Sequence, residues 1–323
     1  MSLLGLLCAP MLRAANVTRA EDRTLWTLYQ QSLQSARYID LTHAFAPGQP
    51  RGVGFAELKV SAARADVSLP GLITKGAPFT YQQHGVGITA YEFPTDQVGT
   101  QLDPPAHWNA YGATISDLPP TFAIRPLVVI NIAPQVAADP GYQASVADVR
   151  KWERQHGRIP AGSVVMFRSD WSKKWTDSAR FVARPFPGVS LVVLKFLHLE
   201  RQILMHGHEP LDTDSTPDFA GESWLLRHNF AQAEGVMNLD LVPEAGALIL
   251  IGFAKPEGGT GGFARYIAVA PASWPHGLTI AEAPGAPLPT RSMPLARGAD
   301  GVLRPAINPA TNNKPQSQQE PPK

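Results

Sequence analysis

A single cysteine, Cys8, stands in a chain of 323 residues, so no intramolecular disulfide can form. That fits a reducing compartment, although an exported protein can also fold without disulfides. Charge is scarce: Asp, Glu, Lys and Arg make up 17% of the residues and the formal net charge is +1. The concentrated positive field that holds a phosphate backbone is missing, which excludes nucleic acid as the expected partner. No uncharged apolar run reaches the roughly 20 residues that cross a bilayer, so no membrane span is expected. Glycine and proline, in contrast, are plentiful (27 and 31) and scattered, which reads as many turns within a folded chain. Hydrophobic residues at 44% are enough for a substantial core in one large domain or two ordinary ones.

The opening "MSLLGLLCAPMLRAAN" is a short apolar run closing on Ala14 and Ala15. Residues 1–15 therefore look like a signal-type leader that lacks its basic start. The compartment stays open between periplasm and cytoplasm, with the cytoplasm slightly favoured. Residues 16–36 are expected to form a helical extension, with Leu25, Leu28 and Leu33 near one face. From residue 37 to about 290 strand and helix patterns mix without strict alternation. "YIDLTHAF", "GVGITAYEF", "RPLVVINIA", "GSVVMFRSDW" and "ILMHGHE" read as strands, and "SLVVLKFLHLERQ" as an amphipathic helix. "SVADVRKWERQHG" carries a capping box, Ser145 with Asp148, and ends on Gly157, where a left-handed residue closes a helix. "GALILIGFAKPEGGTGGFARYIAVAP" is two apolar strands around a Gly-rich connection, a hairpin signal and not a phosphate loop, since the Lys-Ser/Thr ending is absent. Residues 291–323 are polar and Pro-rich and are expected to be disordered. The pattern predicts a single α/β domain with a mixed sheet and peripheral helices.

Three segments concentrate chemistry. In "GTQLDPPAHW", Asp103 and His107 sit in a frame stiffened by Pro104 and Pro105, which fix φ and remove donors. A stiff extended turn holds side chains at set angles, as catalytic and metal sites need. In "HGHEPLDTD", His206, His208, Glu209, Asp212 and Asp214 follow an apolar strand, and strand ends commonly host sites. His206 alternates with Met205 and reads as a packed histidine. In "GESWLLRHNFAQAEGVMNLD", Glu222 and Glu234 stand twelve residues apart. Glu234 lies in an apolar stretch, where a carboxylate is costly unless paired or bound to a cation.

These segments together resemble the cyclase family of metal-dependent hydrolases, which includes bacterial kynurenine formamidases and isatin hydrolases. The family signature reads H-x-G-T-H-x-D-x-P-x-H. Here the stretch runs from Gln97 to His107, matching at Gly99, Thr100, Asp103, Pro105 and His107. "IDLTHAF", "PAGSVVMFRSDW", "FPGVS" and "EGVMNLDLVP" followed by "GALILIG" are also similar, so the resemblance spans about residues 37–271. It implies a cyclase-like (swivelling β/β/α) fold, a divalent metal and, as in relatives, a homodimer or homotetramer. The implied metal-ligand positions are Gln97, Gln101, Asp103, Glu222 and Glu234. Glutamine replaces the family histidine at two of them and glutamate at a third. Oxygen donors in place of imidazoles harden the site, which favours Mn or Mg over Zn and leaves a metal-free site as the alternative.

The expected activity is hydrolysis of a small amide, lactam, formamide or lactone, with His107 as general acid/base and His208 as a second catalytic candidate. Trp108, Glu209 and Arg265 are the candidate substrate contacts. A small-molecule-binding protein that has lost its metal is the alternative, and a lyase or dehydratase built on the same acids is a third possibility.

Overall fold

The computed structural model describes residues 24–52, 54–280 and 285–306. Its centre is a mixed sheet of eight strands: β1 (Arg37–Asp40), β2 (Gln101–Asp103), β3 (Ile124–Asn131), β4 (Val164–Arg168), β5 (Met205–His208), β6 (Ala231–Glu234), β7 (Ala247–Phe253) and β8 (Gly262–Ala270). The hydrogen-bonded order is β1-β8-β7-β3-β4-β5-β6-β2, and β2 pairs again with β8, which closes the sheet. The run β3-β4-β5-β6 is parallel. The β2, β7, β8 and β1 pairings are antiparallel. The expected mixed-sheet α/β fold is thus observed.

Alternation along each strand separates two faces. Leu102, Val164, Met166, Met205, Ala231, Ala233, Ile249 and Tyr266 belong to the core cluster within the closed sheet. Val165 and Phe167 belong to a second cluster on the other face, with Val149, Trp152, Val193, Leu194 and Leu197 from the helices. Fully burying a Val, Leu or Phe stabilises the fold by about 1.5–3 kcal/mol, so these two layers carry most of the cohesion. Helix α1 (Val146–His156) begins on the Ser145–Asp148 capping box and ends at Gly157, whose φ is 88°. Helix α2 (Leu191–Lys195) starts on a Ser190 cap and continues as a π turn over Phe196–Glu200. Helix α3 (Ala220–Arg227) is short and buries Glu222, Leu225 and Leu226.

Three sequence expectations need correction or bounding. "GVGITAYEF" does form a strand at Thr89–Glu92, but it pairs with Lys59–Ala62 outside the main sheet. The segment assigned to a disordered tail contains a hairpin, Leu295–Arg297 against Leu303–Pro305. Val302 packs on Leu58, Val60 and Val98, and Asp300 pairs with Arg304, contacts that a composition-based reading cannot see. In the N-terminal extension residues 24–36 are described; they hold a short helix, Leu25–Leu28, and the π turn Tyr29–Leu33, and Leu25 and Leu28 are exposed. The leader-like residues 1–15 and the last residues, 307–323, lie outside the described residues.

Candidate active site

The strands β2 and β6 run antiparallel with Gln101 opposite Glu234 and Asp103 opposite Gln232. Because side chains alternate, all four project to one face, away from Leu102 and Ala233. The result is a two-by-two lattice of acids and amides. Gln101 Nε2 lies 2.9 Å from Glu234 Oε2 and 3.3 Å from Asp103 Oδ1. Gln232 Nε2 lies 3.0 Å from Asp103 Oδ2 and 2.9 Å from Glu234 Oε1. Helix α3 brings the third acid over this lattice. Oxygens of Asp103, Glu222 and Glu234 approach within 4.8 Å of one another, and all three residues are buried.

Electrostatics follow from that crowding. Burial pushes the Glu222 carboxyl up to about 9, helped by the nearby Asp103 and Asp212 charges. Burial, then the charge of Asp103, raises Glu234 well above the usual range. Asp103 is raised too, by burial, with the nearby His107 and the amides of Gln232 and Gln101 opposing. Three carboxyls in one low-dielectric space can all ionise only beside a positive centre. The donor set is wholly oxygen: three carboxylates with amide groups between them. It fits a hard divalent cation, with Asp103, Glu222 and Glu234 as the residues that could hold it.

His107 stands next to this cluster on the short 3-10 turn Pro105–His107 that the two prolines initiate. Its Nδ1 is 2.7 Å from Gln97 Nε2 and its Nε2 is 3.5 Å from Glu222 Oε1. Gln97, expected among the ligands, is instead the group that fixes the His107 ring. Trp108 Nε1 donates to Glu222 Oε1 at 3.1 Å. These side chains line a cavity of about 260 Å³ whose walls also include Phe55, Leu211 and Phe219. Trp108 thus touches both the cavity and an acid, as a substrate-side residue would.

Three candidates fall elsewhere. His208 is on the same sheet face but buried, and it does not line the cavity. Its Nε2 is 2.7 Å from Thr213 Oγ1 and 3.7 Å from Glu234 Oε1, which makes it a support of the acids and not a group in reach of substrate. Glu209 turns to the opposite side. Its Oε2 accepts from the backbone N–H groups of Ser169, Trp171 and Ser172 and from the Ser169 hydroxyl, so it ties down a turn. Burial pushes its carboxyl up to about 7. Arg265 forms an exposed ion pair with Asp40 at 2.7 Å and borders a different cavity. A second acidic group, Asp212, Asp214 and Glu222, is already employed. Asp214 accepts the Gly221 and Glu222 N–H groups at the start of α3, and Asp212 pairs with Arg184. Gln232 was missed in the sequence. The signal was present, since a strand that places Glu234 inward places residue 232 inward as well.

A buried oxygen-rich cluster beside a histidine, bordering a cavity lined in part by aromatic side chains, defines a hydrolase-type site on a closed mixed sheet. The sequence matches the putative cyclase family over residues 39–215, and the chain belongs to that family. It is 31% identical over 188 residues to the isatin hydrolase of Roseibium aggregatum, covering 54% of this chain and 71% of that protein. Isatin hydrolase A from Ralstonia solanacearum superposes with a TM-score of 0.65 at 25% identity, over 79% of this chain and 100% of that one. A structure described as a potential metal-dependent hydrolase with cyclase activity shares the fold, with a TM-score of 0.54 at 17% identity, over 72% of this chain and 98% of that one. The chain is an enzyme of the hydrolase class.

Proposed function

We propose that the protein hydrolyses a small aromatic cyclic amide, or a closely related formamide or lactone, at the cavity bounded by His107, Glu222 and Glu234. One observation carries the reading: three buried acids lie within 4.8 Å of one another beside His107, and His107, Glu222 and Glu234 line one cavity with Phe55, Trp108 and Phe219. A divalent cation held by Asp103, Glu222 and Glu234 would polarise the scissile carbonyl and make water acidic enough to attack near neutral pH. Everything else is the work of the chain's own groups. With the Gln97 amide oxygen turned to accept its Nδ1–H across the 2.7 Å contact, His107 is placed to take a proton from the attacking water at Nε2 and return it to the leaving nitrogen or oxygen. Trp108 and Phe219, with ring centroids 5.9 Å apart and planes tilted by 40°, provide an apolar corner against which an aromatic ring can pack and from which water is excluded. The likeness to isatin hydrolases supports a lactam fused to an aromatic ring as the first substrate to try.

A binding protein on the same scaffold is the second reading, favoured by the Gln101 and Gln232 amides that bridge Asp103 and Glu234. The two are separated by assaying hydrolysis of isatin, an N-formyl aniline and an aryl lactone with Mn²⁺ or Mg²⁺ present. Turnover of at least one substrate is expected, and the His107→Ala variant should lose about 10²–10⁴-fold of it while keeping its circular dichroism. Full activity in that variant would remove His107 from the chemistry, and no turnover of any substrate would select the binding protein.

A further inference from the structure

Asp103 and Glu234 are fixed by the register of β2 and β6, but Glu222 comes from α3, and no strand pairing sets its position. The burial of Leu225 and Leu226 seats the helix on the core, yet apolar burial has no direction. Polar contacts at the start of α3 supply it. A helix opens with N–H groups that have no partner within it, and the side chain of the preceding residue commonly accepts from the second or third of them. That preceding residue is Phe219, which offers no acceptor and takes a left-handed φ of 48°. Asp214, five residues further back, takes its place. Its Oδ1 accepts from the Gly221 N–H and its Oδ2 from the Glu222 N–H, both at 2.9 Å. Two adjacent donors on the two oxygens of one carboxylate fix direction as well as distance.

The carboxylate is tightly seated. Gly221 lies so close that an added Cβ would meet Asp214 Oδ1 at 2.8 Å and Leu194 Cδ1 at 3.0 Å. Asp214 is itself buried and is held by its own loop. Its N–H donates to Asp212 Oδ1 at 2.9 Å. Arg184 clamps the same loop through three oxygens. Its Nη2 donates to Asp212 Oδ2 at 3.2 Å, and its Nη1 to the carbonyls of Ser215 at 2.6 Å and Asp214 at 3.3 Å. The Arg184 guanidinium also lies over the Phe186 ring, 4.6 Å from its centroid. At the far end of this series of contacts, Glu222 Oε1 meets Trp108 Nε1 and His107 Nε2.

We infer that Asp214 is the positioning residue of Glu222: clamped through its loop by Arg184, it holds the first turn of α3 and so sets where the Glu222 carboxylate stands relative to Asp103, Glu234 and His107. The inference rests on the metal-dependent reading above and deepens it. With both oxygens occupied by N–H groups, Asp214 acts through Glu222 and not as a ligand. It keeps one acid of the cluster within reach of the two that the sheet fixes. Outer partners of this kind typically change metal affinity by about 10–100-fold when removed.

The Trp108 indole N–H donates to Glu222 and so reports the position of that carboxylate in chelator-treated protein. In heteronuclear NMR of indole-labelled protein, Asp214→Ala should move the Trp108 resonance in the direction that Glu222→Ala moves it. The indoles of Trp152 and Trp171, which donate to the carbonyls of Glu244 and Phe181, should keep their positions. Asp214→Asn retains one acceptor oxygen and should give a smaller shift of the same sign; it serves alone if the alanine variant does not fold. A Trp108 resonance unchanged in a folded variant, or indoles that all move together, would overturn the inference. Paramagnetic resonance titration with Mn²⁺ supplies the second readout. Asp214→Ala should bind Mn²⁺ at least about tenfold more weakly than the wild type, and unchanged affinity in the folded variant would also overturn the inference. If the wild type binds no Mn²⁺, the metal-dependent reading fails, and the Trp108 resonance alone decides the role of Asp214.

Discussion

Glu209 shows how a single residue's surroundings decide its role. Its segment, "HGHEPLDTD", is dense in hydrogen-bonding groups, and composition marks it as a place where chemistry could occur. Direction is what the sequence does not carry. The Glu209 carboxylate faces the 169–172 turn and satisfies three backbone N–H groups there. Glu209→Ala leaves those buried donors unpaired, and each unmet buried donor costs about 1–3 kcal/mol. Urea denaturation should therefore show a loss of at least about 2 kcal/mol, and an unchanged midpoint would mean that water replaces the carboxylate without cost. Glu234 was legible because an ionised group in an apolar stretch demands a partner, and Asp103 because Pro104 and Pro105 stiffen the segment that carries it. Gln232 was not, because a neutral amide between two alanines makes no such demand. Arg265 looked available only because its partner, Asp40, is 225 residues away along the chain.

At the scale of the element, the site is a property of two paired strands. The register that sets Gln101 against Glu234 and Asp103 against Gln232 aligns two i, i+2 pairs, and a slip of one residue would send all four side chains into the apolar core. Close strand packing behind the site enforces that register. At Gly207 on β5, an added Cβ would meet Met166 Sδ at 2.3 Å and Ala233 Cβ at 2.9 Å. Gly207→Ala should destabilise the protein by about 1–3 kcal/mol through overpacking, read as a lowered thermal midpoint, and a midpoint equal to the wild type would show that β5 and β6 can separate freely. The local codes were readable in advance: the Ser145–Asp148 box, Gly157, and the hairpin of β7 and β8. The closure of the sheet was not, since the pairing of β2 with β8 joins segments about 160 residues apart and leaves no periodic trace. The 295–305 hairpin was hidden for a related reason. Its stability comes from Val302 packing on a distant cluster, while its composition resembles a solvated tail.

Over the whole molecule, the acid cluster links folding to pH and to cation. In chelator-treated protein, Glu222, raised to about 9, keeps a proton that the unfolded chain gives up near the ordinary carboxylate range. Between those two values the folded state holds more protons than the unfolded one, so stability falls as pH rises through that window. A divalent cation replaces the proton, and its stabilising effect should therefore grow with pH. Thermal scans from about pH 5 to 9 should show a midpoint that declines with pH in chelator and is restored by Mn²⁺, most strongly at the alkaline end. A cation effect that is absent, or equal at both ends, would mean that the acids do not share an ion.

The most direct measurement is the number of ions bound. Chelator-treated protein titrated with Mn²⁺ and followed by paramagnetic resonance should remove one ion per chain from the free signal at micromolar concentration, and an Asp103→Asn, Glu234→Gln double variant should remove none. A free-ion signal that tracks the added Mn²⁺ for the wild type as it does for the variant would contradict a cation held in common by Asp103, Glu222 and Glu234.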